Sequence, residues 1–265
     1  MKVWHLKDRR VHPFAAAFIS FTFIFGGAIL GLILQGFLPE HHLKQESKDA
    51  VKLGAGLIAT MAALVLGLLV GSAKSSFDAV NNNITSGASK FIYLDRQLAD
   101  YGPEAAGIRN DVRQSLQKIV VFLWPEENAF PGTEPFNPKD ISGGLEAISL
   151  RIRSLPQNTP DQVALRAQAL QTVNELMQDR WLILAQSVNT LPRPFFGMML
   201  FWLTALNITY GLFAPRNGTV VAVLFSCALA VSGALFLIVE MNRPLDGIIK
   251  VSSQPMHKAA EFLGH

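Results

Sequence analysis

The side chains equipped for chemistry are few, and they do not gather into a constellation. His41, His42 and Glu46 share one short polar segment and carry the donors of a divalent metal site. Such a site needs three or four convergent ligands, and adjacent histidines in a solvated segment do not supply them, so no metal is expected. Imidazole titrates near neutral pH, which makes a proton-sensitive mouth the other reading of the pair. Glu126 and Glu127 are paired carboxylates, but prolines at 125, 131, 135 and 138 place them in a loop without the spacing of an EF-hand. The one cysteine, Cys227, stands in an apolar run, which excludes an intrachain disulfide and leaves no basis for a thiolate cluster. GxSxG, Walker, Rossmann, HExxH and CxxC patterns are missing. The chain is therefore not expected to be an enzyme, and no cofactor is expected.

The elements that would position any chemistry are apolar helices. Of 265 residues, 50% are hydrophobic and only 16% charged, too apolar for an ordinary soluble protein. The formal charge of +3 is scattered, with no basic footprint for nucleic acid. Leu53 to Ala73 is uncharged over 21 residues, enough to cross a hydrocarbon core at ~1.5 Å per residue. Within it Ala55, Ala59, Ala63, Gly67 and Gly71 recur every fourth residue, a small-residue stripe of the kind that lets membrane helices approach closely. A second row, Leu57, Met61, Leu64 and Leu68, lies elsewhere on the same helix. If the small stripe packs on neighbours, the leucine row and Thr60 can form the neck of a pore; if the small stripe lines the pore, the leucines face lipid or protein. Polar residues inside the spans are Thr22, Gln35, Thr60, Thr204, Asn207, Thr209, Ser226 and Ser232, none of them ionisable. Ion-coupled transport ordinarily uses intramembrane carboxylates, Lys or His, so a pump is disfavoured and passive conduction stays open. Asn207 is expected to bond between helices.

In chain order, basic residues Lys2, Lys7, Arg9 and Arg10 precede an uncharged run, Phe14 to Leu38, which reads as a retained first span without a signal-cleavage site. The positive-inside tendency puts the N-terminus in the cytoplasm. Residues 74–194 then read as a helical cytoplasmic domain, with 12 Lys and Arg against 13 Asp and Glu from Lys74 to Arg193. Gly102-Pro103 ends its first helix; Ile108, Val112, Leu116, Ile119 and Leu123 stripe the next, and Gly143-Gly144 weakens a helix over 141–155. Thr159-Pro160-Asp161 starts another. From there Val163, Ala167, Leu170, Asn174, Met177, Trp181, Leu184 and Val188 form a heptad seam predicted to bury one narrow face. Residues 195–214 and 220–239 are the third and fourth spans, and 240–265 a cytoplasmic tail whose Arg243 snorkels and whose Pro244 stops the helix. The fold class is all-α, with four spans and a helical extramembrane domain in contact with the lipid bilayer.

LPEHHLKQESKDAVKLGAGLIATMAALVLGLLVGSAKSSFD, LDRQLADYGPEAA, Arg180-Trp181, FWLT at Phe201, GLFAPRN at Gly211 and the EMNRPLDGIIKVSSQP tail resemble the bacterial family of bestrophin-like membrane proteins. The resemblance implies a multi-pass protein of the bacterial inner membrane with both termini cytoplasmic. It also implies a homo-oligomer, by similarity to bestrophins a pentamer, that passes small inorganic ions, anions slightly favoured, along its second helix. Leu57, Thr60, Met61, Leu64 and Leu68 would then form the neck and Ser72, Ser75 and Asn82 a polar vestibule. Ser75-Ser76-Phe77-Asp78 resembles the step at which bestrophins leave the membrane. The Arg-Trp-Trp-Glu run that follows in bestrophins is Ala79-Val80-Asn81-Asn82 here, and no acidic calcium clasp can be matched, so calcium gating does not carry over. A non-conducting scaffold that binds partners through the seam from Val163 to Val188 is the alternative.

Overall fold

A computed structural model describes residues 12–39, 45–127, 130, 132, 138–186 and 193–263. Eight α-helices are present among them: α1 Pro13–Leu34, α2 Gln45–Tyr101, α3 Ala106–Leu123, α4 Pro138–Arg153, α5 Pro160–Gln186, α6 Arg193–Phe213, α7 Gly218–Met241 and α8 Gln254–Phe262. The chain divides into two compact units, one of Met1–Ser76 with Thr190–Arg243 and one of Phe77–Asn189 with Pro244–His265. Helix α2 runs for 57 residues and contributes to both. No proline interrupts it between Pro39 and Pro103.

The first unit contains four helical stretches long and apolar enough to cross a membrane: α1, the apolar part of α2, α6 and α7. Helix α1 starts with Pro13 at its first position, where no N–H is needed. It ends at Leu34, so Gln35 to Leu38 of the uncharged run form a turn instead of a last helical turn. Asn217 caps α7 by accepting the Val220 N–H at 2.9 Å. Helix α1 lies against α6 and α7. On α7, the Phe225 ring meets Phe21 and Phe25 edge-on at 5.3 and 5.4 Å between centroids.

Between α1 and α6 the backbones come close through two reciprocal glycines. A Cβ on Gly31 would collide with the carbonyl of Ile208, and one on Gly211 with that of Ala28. Neither obstacle is a side chain that can swing away, so Gly211→Ala must separate the helices. The expected loss is about 3 kcal/mol, the upper end of overpacking costs, seen as a lower unfolding temperature in detergent. Gly26→Ala is the control, because a Cβ there meets nothing within 4 Å. Equal unfolding temperatures for the two variants would refute the close crossing.

The second unit is built from the remainder of α2, with α3, α4, α5 and α8, around a core that includes Phe91, Leu94, Leu98, Leu116, Ile148, Ile152 and Val173. Helix α2 turns into α3 at Gly102, whose φ of +126° suits glycine and strains other residues. The striped face of α3 buries Ile108, Val112, Leu116 and Val120, with Ile119 and Leu123 at its edge. Gly143-Gly144 does not interrupt α4. Helix α5 starts where Thr159-Pro160 predicts, with the Thr159 hydroxyl accepting the Gln162 N–H at 3.2 Å.

The heptad seam on α5 is corrected. Its buried face is Ala169, Thr172, Val173 and Leu176, whereas Val163, Ala167, Asn174 and Trp181 are exposed and Leu170 and Met177 sit at the border. At ~100° per residue the two rows lie about 120° apart. Thr172 hid the true row from a hydrophobic pattern. Its hydroxyl reaches Gln97 Oε1 at 3.1 Å and the Gln168 carbonyl at 3.1 Å, which removes the cost of burying it. The side chain of Leu184, and Val188 altogether, lie outside the described residues.

Residues from the C-terminal tail complete this unit. The Trp124 indole N–H donates to the Val251 carbonyl at 3.0 Å, and Met256, Ala259, Ala260 and Leu263 are buried in the same core. Glu126 and Glu127 hold the tail from the other side: Lys250 Nζ donates to Glu126, and His257 Nε2 lies 3.1 Å from Glu127 with its ring stacked on Phe130. Hydrogen bonding to Lys250 and its positive charge hold the Glu126 carboxyl below the usual range. The paired carboxylates are thus tail anchors.

Candidate functional site

The apolar part of α2 has two distinct sides. One side, Ala55, Ala59, Ala62, Leu66, Leu69, Val70 and Ala73, belongs to the core of the first unit together with Met199, Leu203, Leu206 and Ile238. The opposite side is uncovered: Leu57, Met61, Leu64 and Leu68 are 69%, 51%, 64% and 66% exposed. At ~100° per residue these four fall within about 60° of one another, and Ser75 and Asn82 fall on the same line, with Thr60 and Ser72 on its flanks. Thr60, Ser72, Ser75 and Asn82 are all exposed. Within the first unit the helix therefore carries one strip, apolar from Leu57 to Leu68 and polar at Ser72 and Ser75.

Thr60 brings less free polarity than its type suggests, because its hydroxyl donates to the Gly56 carbonyl at 2.9 Å within the same helix. The small-residue stripe is not one face. A spacing of four on a helix of 3.6 residues per turn drifts by about 40° per step, so five residues sweep about 160°. Ala55 and Ala59 sit on the packed side; Ala63, Gly67 and Gly71 have rotated onto the exposed side, and a Cβ on either glycine would meet nothing within 4 Å. The close helix contacts inside this unit are made by Gly31 and Gly211, which the stripe did not predict.

The other polar residues of the spans are mostly spent locally. Thr22, Thr204, Thr209, Ser226 and Ser232 each donate to the carbonyl four residues back, at 2.7 to 2.9 Å. Asn207 does the same: its Nδ2 donates to the Leu203 carbonyl at 2.9 Å, so the expected interhelical bond is replaced by an intrahelical one. Its Oδ1 is buried without a partner. Gln35 lies beyond the end of α1.

One ionisable group was missed. Helix α7 continues to Met241 and buries Glu240 to 1% exposure, one residue past the predicted end of the span. Glu240 lies on the other side of α7 from Leu224, Leu235 and Ile238, so helical periodicity does not point to it. The chain then turns as the sequence predicts, with the Asn242 amide donating to the Ile238 carbonyl at 2.7 Å and Pro244 beyond the helix end. Arg243 is half-buried, and its Nε is enclosed without a hydrogen-bond partner.

His41 and His42, and the side chain of Glu46, lie outside the described residues; no three metal-capable side chains converge among the described ones. The second unit has a half-open apolar pocket of about 80 Å³ whose lining includes Gly87, Phe91, Ile119, Leu145, Leu176 and Met256. It is well below the ~300–1,000 Å³ of ligand pockets.

A family model for the bestrophin-like domain matches residues 22–256. Comparison with curated proteins and with solved structures gives no match. The matched stretch begins inside α1, takes in the whole of α2 to α7 and ends in the first turn of α8, so it contains both sides of α2. Four membrane-length apolar helices followed over that length by the family's pattern identify this chain as a member of the bestrophin-like domain family of membrane proteins.

Proposed function

We propose that the protein is a homopentameric channel for small inorganic ions, anions slightly favoured, in the bacterial inner membrane, with both termini cytoplasmic and α2 as the pore wall. The observation that carries this reading is the uncovered strip on α2. A row of large apolar side chains left bare opposite the face that packs, and leading into Ser72, Ser75 and Asn82, suits a hydrophobic neck that opens into a polar vestibule. Hydrophobic constrictions gate by dewetting and need no charge in the wall. The residues assigned to the neck are Leu57, Thr60, Met61, Leu64 and Leu68. Ala63, Gly67 and Gly71, exposed beside them, are available for close approach between subunits.

The test is current through purified protein in planar bilayers, with chemical cross-linking in mild detergent. A pentamer that conducts, with chloride passed more readily than sodium, is expected. Silent bilayers from monodisperse protein would reject the channel. A second reading rests on α5, whose bare row of Val163, Ala167, Asn174 and Trp181 suits a partner helix. In that case the chain is a scaffold, and cross-linking yields a co-purifying partner at fixed stoichiometry instead of a pentamer.

A further inference from the structure

Where α1 ends, half-buried Ile29 and exposed Ile33 and Phe37 follow one another at intervals of four, and with Leu32, Gly36 and Arg216 they line an open groove of about 500 Å³. Arg216 belongs to the link between α6 and α7. Its guanidinium rests over Gly36, where a Cβ would collide with Nη2, and Nη2 lies 3.5 Å from the Ile33 carbonyl, one of the last in α1. The cation is thus held against the negative end of the helix dipole. That contact uses little of a guanidinium with five N–H donors. Arg216 is exposed.

We infer that this groove binds an anionic phospholipid, its phosphodiester on Arg216 and an acyl chain along Ile29, Ile33 and Phe37. Arginine matches the oxygens of a phosphate in a two-pronged hydrogen bond. The groove lies at one end of a helix apolar enough to span a membrane, the depth at which a lipid headgroup meets its tail. A free phosphate ion would leave Phe37, 80% exposed, and Ile33 bare; the lipid covers both.

The experiment uses the full chain stripped of lipid in detergent, offered equal amounts of dioleoyl phosphatidylglycerol and dioleoyl phosphatidylcholine, with bound lipid counted by native mass spectrometry. Both lipids carry the phosphodiester, but phosphatidylcholine also brings a quaternary ammonium that neutralises it and repels the Arg216 cation, so phosphatidylglycerol is expected to be retained about tenfold over phosphatidylcholine. Arg216→Gln is expected to abolish the preference while leaving total lipid nearly unchanged. Phe37→Ala, at an exposed position, is expected to weaken retention of both lipids without changing their ratio. Equal retention of the two lipids by the natural protein overturns the assignment, as does a preference that survives in R216Q or is erased by millimolar inorganic phosphate. None of these readings requires current, so they stand or fall independently of the channel.

Discussion

Leu64→Ala is expected to raise the unitary conductance severalfold in reconstituted bilayers and to shift the protein toward the open state, and Leu68→Ala to do the same. Both leucines are about two-thirds exposed on the uncovered strip of α2, so their removal leaves the packing of the subunit largely untouched. In the proposed pentamer each subunit's neck would lose three carbons at one level, and five subunits would lose them together. The wider and less apolar ring holds water more easily, which removes the dewetting barrier. Leu66→Ala is the decisive comparison. Leu66 is two residues away but on the packed side, in the core with Met199 and Leu203, so its truncation should lower the unfolding temperature and leave the neck unchanged. If L64A and L68A conduct like the natural protein while L66A alters conductance, the strip is not the pore wall.

That contrast between neighbours shows how much of the site was legible in the sequence. The four apolar runs and the proline-free continuation of α2 are readable because length and charge decide them. Which side of α2 is packed is not. The sequence offers two rows, and only the partners Met199, Leu203 and Ile238, more than a hundred residues away, select the alanines and Leu66. The stripe of small residues divides for a different reason, since a strict period of four outruns the helix and belongs to two faces. On α5 a buried threonine made the true face look polar. Gly31 and Gly211 were invisible as partners because each needs the other helix's backbone to give it meaning. The docking of Val251 and Met256 into the core beside α3 likewise depends on contacts more than a hundred residues apart in sequence.

The largest expected loss of stability lies at Asp95. This carboxylate is only 2% exposed, and it accepts Arg109 Nε and Nη2 at 2.8 Å each, one oxygen per nitrogen. The pair ties α2 to α3 across the turn at Gly102. Hydrogen bonding to Asp95 is the main influence on Arg109 and raises its pKa further, so the guanidinium stays charged at every accessible pH. Asp95→Ala therefore removes both of these hydrogen bonds and the charge that balances the guanidinium. Breaking a buried pair costs about 3–5 kcal/mol. The Arg109 side chain keeps 24% exposure, so water screens part of the loss and about 3 kcal/mol is expected. For a unit of this size that is a fall of roughly 10 °C in the unfolding temperature. Asp95→Asn keeps the shape and one acceptor and should lose less. The double variant Asp95→Leu with Arg109→Met removes both charges and should recover most of the deficit, because breaking one side of a buried pair costs more than replacing both sides by apolar groups. A double variant no more stable than D95A would show instead that the geometry of the two-pronged contact itself holds the α2–α3 corner.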